Sequence, residues 1–286
     1  NSYFYKFKRS DNVQTACIVY IETNEADVSP IITQLTFEDN TGVSGLIVKT
    51  AKDTTIEGLT FNNIVDNSPC INLDNWDTKS GVTIQNSTFS NIRDARCIFT
   101  SAGNKKFPVT IQDCKFINNS IIKYSQTNLI LSGCGASILC QNRNDDDEQV
   151  NIESCNFTNN MAESFGGAIY AETNTIDLIG CRFELCSSAP DNEDGLGGAV
   201  YLTQEKGESF EQINMNTFIN CSASYSGGAL FLFCRDVKSR KNNKMTRKDN
   251  SYTIIIARSA FINCSSGVEG GAISSGIINA ETHQLE

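Results

Sequence analysis

The sequence is short of the residues that most often carry chemistry. It has one histidine, His283, and one tryptophan, Trp76, among 286 residues. One histidine near the end of the chain gives no support to a Ser/His/Asp arrangement. There is no CxxC pair, so a zinc site of the usual Cys/His spacing is not expected. No run approaches the ~20 continuous apolar residues of a membrane-spanning helix, so membrane insertion by this segment is not expected either. No signal peptide is visible. The chain opens "NSYFYKFKRS" without Met and reads as an excerpt of a longer protein, whose anchor would lie in flanking sequence. Positive charge is also scarce. Lys and Arg total 23 against 33 Asp and Glu, for a net charge of -10 and a pI near 4.7. Nucleic acid and anionic membranes both need a positive surface, which makes them poor partners.

What is abundant is phenylalanine, asparagine and cysteine in a fixed spacing. "FINCSSGVEGGAI" begins at Phe261, "FINCSASYSGGAL" at Phe218, and "FTNNMAESFGGAIY" at Phe157. Alignment on phenylalanine gives eight units, at Phe37, Phe61, Phe89, Phe116, Phe157, Phe183, Phe218 and Phe261. Five residues before each stands Ile or Leu; two before stands Cys, Ser or Leu in seven; two after stands Asn in six. Apolar residues at spacing two make a short strand with one buried face. The change of phase before Phe marks a bend, and Asn suits the turn that follows it. A second strand follows Gly166-Gly167, Gly197-Gly198, Gly227-Gly228 and Gly270-Gly271, with "CIVY" at Cys17, "CINL" at Cys70 and "CIFT" at Cys97 as degenerate versions.

A repeat built only from strands and turns predicts a solenoid of stacked coils. No unit contains a helical run. The leucine-rich repeat is the main rival, but it alternates one strand with a helical or irregular arm, whereas a Gly-Gly-Ala strand recurs here. The expected fold is all-β: a right-handed parallel β-helix of about eight to nine coils, one domain over 1–286. Insertions are expected near 119–148, 187–196, 203–210 and 235–250.

The paired F-x-x-N and G-G-A-[I/L/V] motifs resemble the repeats of polymorphic outer membrane proteins of chlamydiae and related protist surface proteins. Phe157 to Asn160 and Gly166 to Ile169 match both motifs; at Phe218 and Phe261 the second Asn is replaced by Cys221 and Cys264. The paired match covers about the second half of the chain. The resemblance implies an extracellular or cell-surface protein involved in adhesion or display, with no catalytic residues to carry over. A host or surface glycan or protein is the partner it implies, and no cofactor.

Cysteines recur at matching positions: Cys114, Cys155 and Cys181 two before Phe, and Cys186, Cys221 and Cys264 three after. Neighbouring coils lie about 4.8 Å apart, which suits either a ladder of buried thiols or coil-to-coil disulfides. N-x-[S/T] sequons stand at Asn86, Asn118, Asn156, Asn220 and Asn263. If the Asn after Phe forms an internal ladder, the candidate glycan acceptors are Asn86 and Asn156. The candidate ligand loop is "RDVKSRKNNKMTRKDN", with Arg235, Lys238, Arg240, Lys241, Lys244, Arg247 and Lys248 set to meet an anionic partner such as a sulfated or sialylated glycan. Asp145, Asp146, Asp147 and Glu148 are a weak calcium pattern, because adjacent carboxylates lack the alternating spacing of a Ca²⁺ loop.

Right-handed β-helices include pectate lyases and polygalacturonases, the pectin lyase-like fold, so an enzyme is the alternative. Glycoside hydrolysis needs two carboxylates across the scissile bond. The N-x-D, D-D, G-H-G and R-x-K pattern of polygalacturonases is not matched, since no G-H-G occurs and the Asp145–Asp147 run lies in an insertion. Asp74 and Asp77 beside Trp76 are the nearest carbohydrate-facing cluster. The expectation is a non-catalytic adhesion or display protein. A polysaccharide-acting enzyme or carbohydrate-binding module is the alternative, and a plain stalk a third.

Overall fold

The computed structural model describes residues 2–8, 17–23, 29–50, 52–65, 68–76, 81–102, 108–122, 133–142, 149–172, 175–190, 194–204, 209–236, 240–241, 244–245 and 252–279. Among these no residue is helical, so no helix is long and apolar enough to cross a membrane. The chain winds through four parallel sheets. The isoleucine sheet has eight strands, running from Ile31–Thr33 to Tyr252–Ala257. The phenylalanine sheet has nine, from Ser2–Tyr5 to Ala260–Ile262. A short sheet has five, from Ser120–Ile121 to Ser265–Ser266. The long sheet has nine, from Cys17–Thr23 to Ile273–Asn279. In each sheet a strand pairs with the strand of the next coil, so the fold is a parallel β-helix.

The eight phenylalanines lie in register, and a ninth ring, Phe4, pairs with Phe37 to begin the stack. From Phe37 to Phe261 neighbouring centroids are 4.5–5.1 Å apart and ring planes agree within 6°. The coil spacing sets this distance, and identical inward residues on identical backbones stack face over face. Ile56, Ile84, Ile111 and Ile152 form a second inward row, fully buried. Ile71, Ile98, Ile138, Ile169, Val200 and Leu230 form the third, from the long sheet.

The bends are left-handed single residues. The residue two after Phe has φ between 51° and 57° in all eight units, at Asp39, Asn63, Asn91, Asn118, Asn159, Leu185, Asn220 and Asn263. The residue three before Phe is also left-handed in all eight, from Gln34 (φ 56) to Arg258 (φ 50). Asn and Gly tolerate this region best, which explains the Asn column.

The Asn column is not the internal ladder expected of it. From Asn91 onward these residues are exposed, and their amides bond along the outer edge. Asn91 Nδ2 donates to Asn62 Oδ1 at 3.0 Å, Asn118 Nδ2 to Asn91 Oδ1 at 3.3 Å, and Asn159 Nδ2 to Asn118 Oδ1 at 3.0 Å. A left-handed turn residue points its side chain away from the coil it closes. The buried ladder lies one residue later.

That inner corner explains why Asn and Cys alternate in the motif. Where the side chain three after Phe is Asn or Cys it donates to the carbonyl of the Phe one coil back, while Ile64 and Ile92 fill the same corner with apolar bulk. Asn119 Nδ2 reaches Phe89 O at 3.3 Å and Asn160 Nδ2 reaches Phe116 O at 3.0 Å. Cys186 Sγ reaches Phe157 O at 3.7 Å, Cys221 Sγ reaches Phe183 O at 3.8 Å, and Cys264 Sγ reaches Phe218 O at 3.7 Å. The corner two before Phe follows the same rule. Cys114, Cys155, Cys181 and Asn216 donate to Ile84, Ile111, Ile152 and Leu178 carbonyls. A thiol or an amide meets the requirement, because each is a compact donor that fits a buried corner. These thiols are free, so the cysteines form ladders rather than coil-to-coil disulfides.

The Gly-Gly pair makes the tightest corner. Gly166 has φ +60, and a Cβ on Gly167 would overlap the carbonyl oxygens of Gly198 and Ser187. Two of the segments expected as insertions contain coil strands. Ser120–Ile121 and Ile138–Asn142 are coil strands within 119–148, and Gly135 (φ 58) repeats the Gly166 corner. Ser187–Ser188 is likewise a strand of the short sheet, not part of an insertion.

Candidate functional site

The long sheet alternates. Its inward residues are the aliphatic row above, and the residues between them face out. These outward residues are Phe99, Leu139, Tyr170, Tyr201 and Phe231, in register through five coils. Tyr170 and Tyr201 stack at 5.1 Å and 4°, and Tyr201 and Phe231 at 5.5 Å and 7°. Phe165 stacks on Tyr201 from the neighbouring corner at 5.2 Å. This outer aromatic ladder forms an apolar cluster of its own, separate from the core.

The ladder is interrupted at the strand Ile273–Asn279. Phe231 pairs with Ser274, and Phe233 with Gly276. Where two more aromatic rings would stand, the protein has a hydroxymethyl group and no side chain at all. The space left is a groove of about 580 Å³, walled by Tyr201, Phe231 and Phe233, with Tyr225, Asp194 and Glu269 along its rim. Tyr225 is 44% exposed, and both carboxylates are exposed. Ser226 Oγ lies 2.9 Å from Ser274 Oγ and 3.0 Å from the Glu269 carbonyl oxygen. One wall is therefore aromatic and the floor and rim are hydroxyl and carboxylate. Such a surface recognises a ligand with one apolar face and a polar edge. No basic side chain lines it among the described residues.

A second, wholly polar groove follows the outer amide ladder, lined by Asp39, Asn62, Asn63, Asn91, Arg93 and Asn118 among others. Its side chains bond to one another: Asn63 Nδ2 donates to Asp39 Oδ1 at 2.6 Å, and Arg93 Nη2 to Asn63 Oδ1 at 3.3 Å. These bonds complete the turns and leave the groove no distinct chemistry.

The Cys70 and Cys114 thiols are unreactive by position. Burial pushes the Cys70 thiol well above its ordinary range. The bond with Cys155 and burial push Cys114 up in the same way. Among the described residues no group of His, Cys, Asp and Glu is placed to hold a metal ion.

The basic stretch is described in part. Arg235 lies in the strand Leu230–Asp236, opposite Ile278. Arg240–Lys241 and Lys244–Met245 form an antiparallel hairpin. Lys238, Arg247 and Lys248 lie outside the described residues, as do Asp77, Asp145, Asp146, Asp147, Glu148 and His283. Asp74 and Trp76 lie in the long-sheet strand Ile71–Trp76, at a register shift opposite Ser101 and Ala102. Of the sequons, Asn86 and Asn156 are exposed, and so are Asn118, Asn220 and Asn263, so burial does not separate the two groups. Hydrogen bonding does not separate the two groups either. Asn118 Nδ2 is engaged by Asn91, and Asn86 Nδ2 donates to Glu57 Oε1 at 3.1 Å.

Sequence reasoning missed the aromatic groove. In the sequence, "IYA", "VYL" and "LFLF" alternate aliphatic and aromatic residues at the same strand position. That alternation was the available signal.

One coil of this architecture has a recognisable pattern of its own. It runs from the left-handed corner at Ser154 through Phe157, the Asn160 corner and Gly166-Gly167 to the outward Tyr170. Residues 154–172 match the Chlamydia polymorphic membrane protein (Chlamydia_PMP) repeat. The polymorphic membrane protein repeat thus spans one arc of one coil, from the entry to the phenylalanine sheet to the long sheet. The chain is a parallel β-helix repeat protein, one unit of which matches that repeat. No curated protein and no solved structure matches the chain.

Proposed function

We propose that this chain is a non-catalytic β-helix segment displayed at the cell surface or secreted, and that it acts in adhesion. The observation that carries this reading is the polymorphic membrane protein repeat lying on one regular coil, with neighbouring coils built to the same rule. The repeated chemistry of the coils goes into their own stacking: rings, corner donors and glycine approaches. Ligand contact falls to what departs from the repeat. The Arg235–Asn250 stretch is one such departure, with seven basic residues and two acidic ones suited to an anionic surface. Asn86 and Asn156 are proposed glycan acceptors where the chain passes through a glycosylating secretory route.

A second reading, carbohydrate recognition on the sheet face, is favoured by the aromatic groove between Tyr201 and Ser274. The test of the surface reading is labelling of intact cells with antibody to the chain, followed by adherence of beads coated with it. Labelling only after lysis would refute surface display. Unchanged adherence after replacement of the Lys and Arg of 235–250 by Ser would remove the basic stretch from the contact.

A further inference from the structure

We propose that the groove at the end of the outer aromatic ladder is a binding site for a neutral or amino-substituted hexopyranose of a glycan chain. The proposal rests on the adhesive reading and gives it a site and a ligand class. The first argument is shape. Tyr170, Tyr201 and Phe231 repeat a flat ring at intervals of 5.1 and 5.5 Å with nearly parallel planes. The next coil replaces the aromatic positions with Ser274 and Gly276, so the ladder ends in a vacancy about one ring thick. At about 580 Å³ the groove falls within the roughly 300–1,000 Å³ of small-ligand sites.

The second argument is chemistry. A pyranose presents C–H groups on its faces and hydroxyls around its edge. The C–H face suits the electron-rich face of an aromatic ring. The hydroxyl edge suits Ser226, Ser274 and Ser275 with the Asp194 and Glu269 carboxylates as acceptors. The third argument is charge. Two carboxylates at the mouth, with no basic side chain among the described lining, repel sulfated, sialylated and uronate sugars and favour neutral or amino sugars. A quaternary ammonium would also meet aromatic and acid groups, but it needs rings that face it from several sides. Here Tyr201 and Phe231 are parallel within 7° and offer a single flat wall.

The experiment uses the full 286-residue chain. A glycan array carrying neutral, N-acetylated, amino and acidic oligosaccharides is followed by calorimetric titration with galactose- and N-acetylglucosamine-terminated trisaccharides. Choline chloride and oligolysine are titrated in parallel. Two variants target the groove. Tyr225→Ala removes an exposed rim ring, and Ser274→Tyr rebuilds the missing rung and fills the space. The expected result is binding to neutral or amino sugars, weakened at least tenfold by Tyr225→Ala and abolished by Ser274→Tyr. The Ser274→Tyr thermal midpoint should be unchanged or higher, which shows that folding was not the cause. Binding that survives Ser274→Tyr, preference for acidic sugars, or preference for choline or oligolysine would overturn the site. Release of shortened sugars on incubation would overturn the non-catalytic role. Bead adherence separates the two readings. Adherence that persists in Ser274→Tyr while sugar binding is lost retains adhesion and removes the groove from it. Sugar binding by a chain that does not adhere retains the groove and overturns adhesion.

Discussion

Asn160→Ala tests the corner rule, because Asn160 bonds twice to the preceding coil, besides a longer contact from its Nδ2 to Cys186 Sγ at 4.0 Å on the following one. Its Nδ2 donates to Phe116 O at 3.0 Å, and its Oδ1 accepts the Asn119 backbone N–H at 3.3 Å. Both ends are fully buried. Alanine removes one net hydrogen bond, about 1 kcal/mol, and leaves the Asn119 N–H without this acceptor, a further ~1–3 kcal/mol. The expected loss is about 3 kcal/mol, a large share of the ~5–15 kcal/mol that a domain holds. The assay is urea denaturation, read as a lower midpoint at unchanged slope. Two further variants sharpen it. Asn160→Cys restores the donor in the manner of Cys186, but sulfur is a poor acceptor for Asn119, so about half the loss should remain. Asn160→Asp keeps an acceptor and loses the donor while burying a charge, so it should cost at least as much as alanine. An alanine variant within about 0.5 kcal/mol of the wild type would refute the reasoning, given that net bonds are worth ~1 kcal/mol each. So would a cysteine variant no better than alanine.

Further outcomes follow from the same geometry. Gly167→Ala forces a methyl against the Gly198 and Ser187 carbonyls and should lower the thermal midpoint more than Gly180→Ala, where the Cβ makes only ordinary contact with Ser154 and the cost is that of a left-handed alanine at φ +65. Leu185 holds φ 56 while 50% exposed, where six other units have Asn, so Leu185→Asn should raise stability by about 0.5–1 kcal/mol in urea. Cys114 and Cys155, both pushed up, should resist thiol reagents at neutral pH until the chain is unfolded; rapid native labelling would contradict the buried ladder. Asp177, raised by desolvation, lies between Asn151 and Gln212 on the sheet. A carboxyl raised in the fold contributes stability below its unfolded pKa and loses it as pH rises through the folded one. Asp177→Asn should therefore melt higher than the wild type at pH 7, with the gap closing as pH falls through the aspartate range.

The inward half of the fold was legible because a parallel solenoid repeats one environment per coil. Each inward position must accept the same shape, so Phe157, Phe183 and Phe218 recur and align by eye. The Asn column was legible as a turn but not as an outward one, since spacing reports the backbone requirement and not the direction of the side chain. The Cys-for-Asn exchange at Cys186 and Cys221 became intelligible only with the shared acceptor in view. The coil strand at Ile138–Asn142 was hidden because its corner reads "GCGAS" instead of "GGA", although Gly135 supplies the same left-handed turn.

The groove was illegible for the opposite reason. It is made by an interruption of a repeat, and repeat-finding discounts interruptions. Tyr170, Tyr201 and Phe231 stand at strand spacing, where aromatics usually are core. Only the register shows that their neighbours Ile169, Val200 and Leu230 already fill the inside. Two rows of apolar residues on one strand cannot both face the same core, so one of them faces out. In a solenoid an outward apolar row is supported only by its own stacking and by the corners that fold over it, as Phe165 does on Tyr201. The coil where that row gives way to Ser274 and Gly276 is therefore where the surface changes from self-supporting to open. Departures from a repeat are where such a chain can be specific, because every position that obeys the repeat is already committed to holding the coils together.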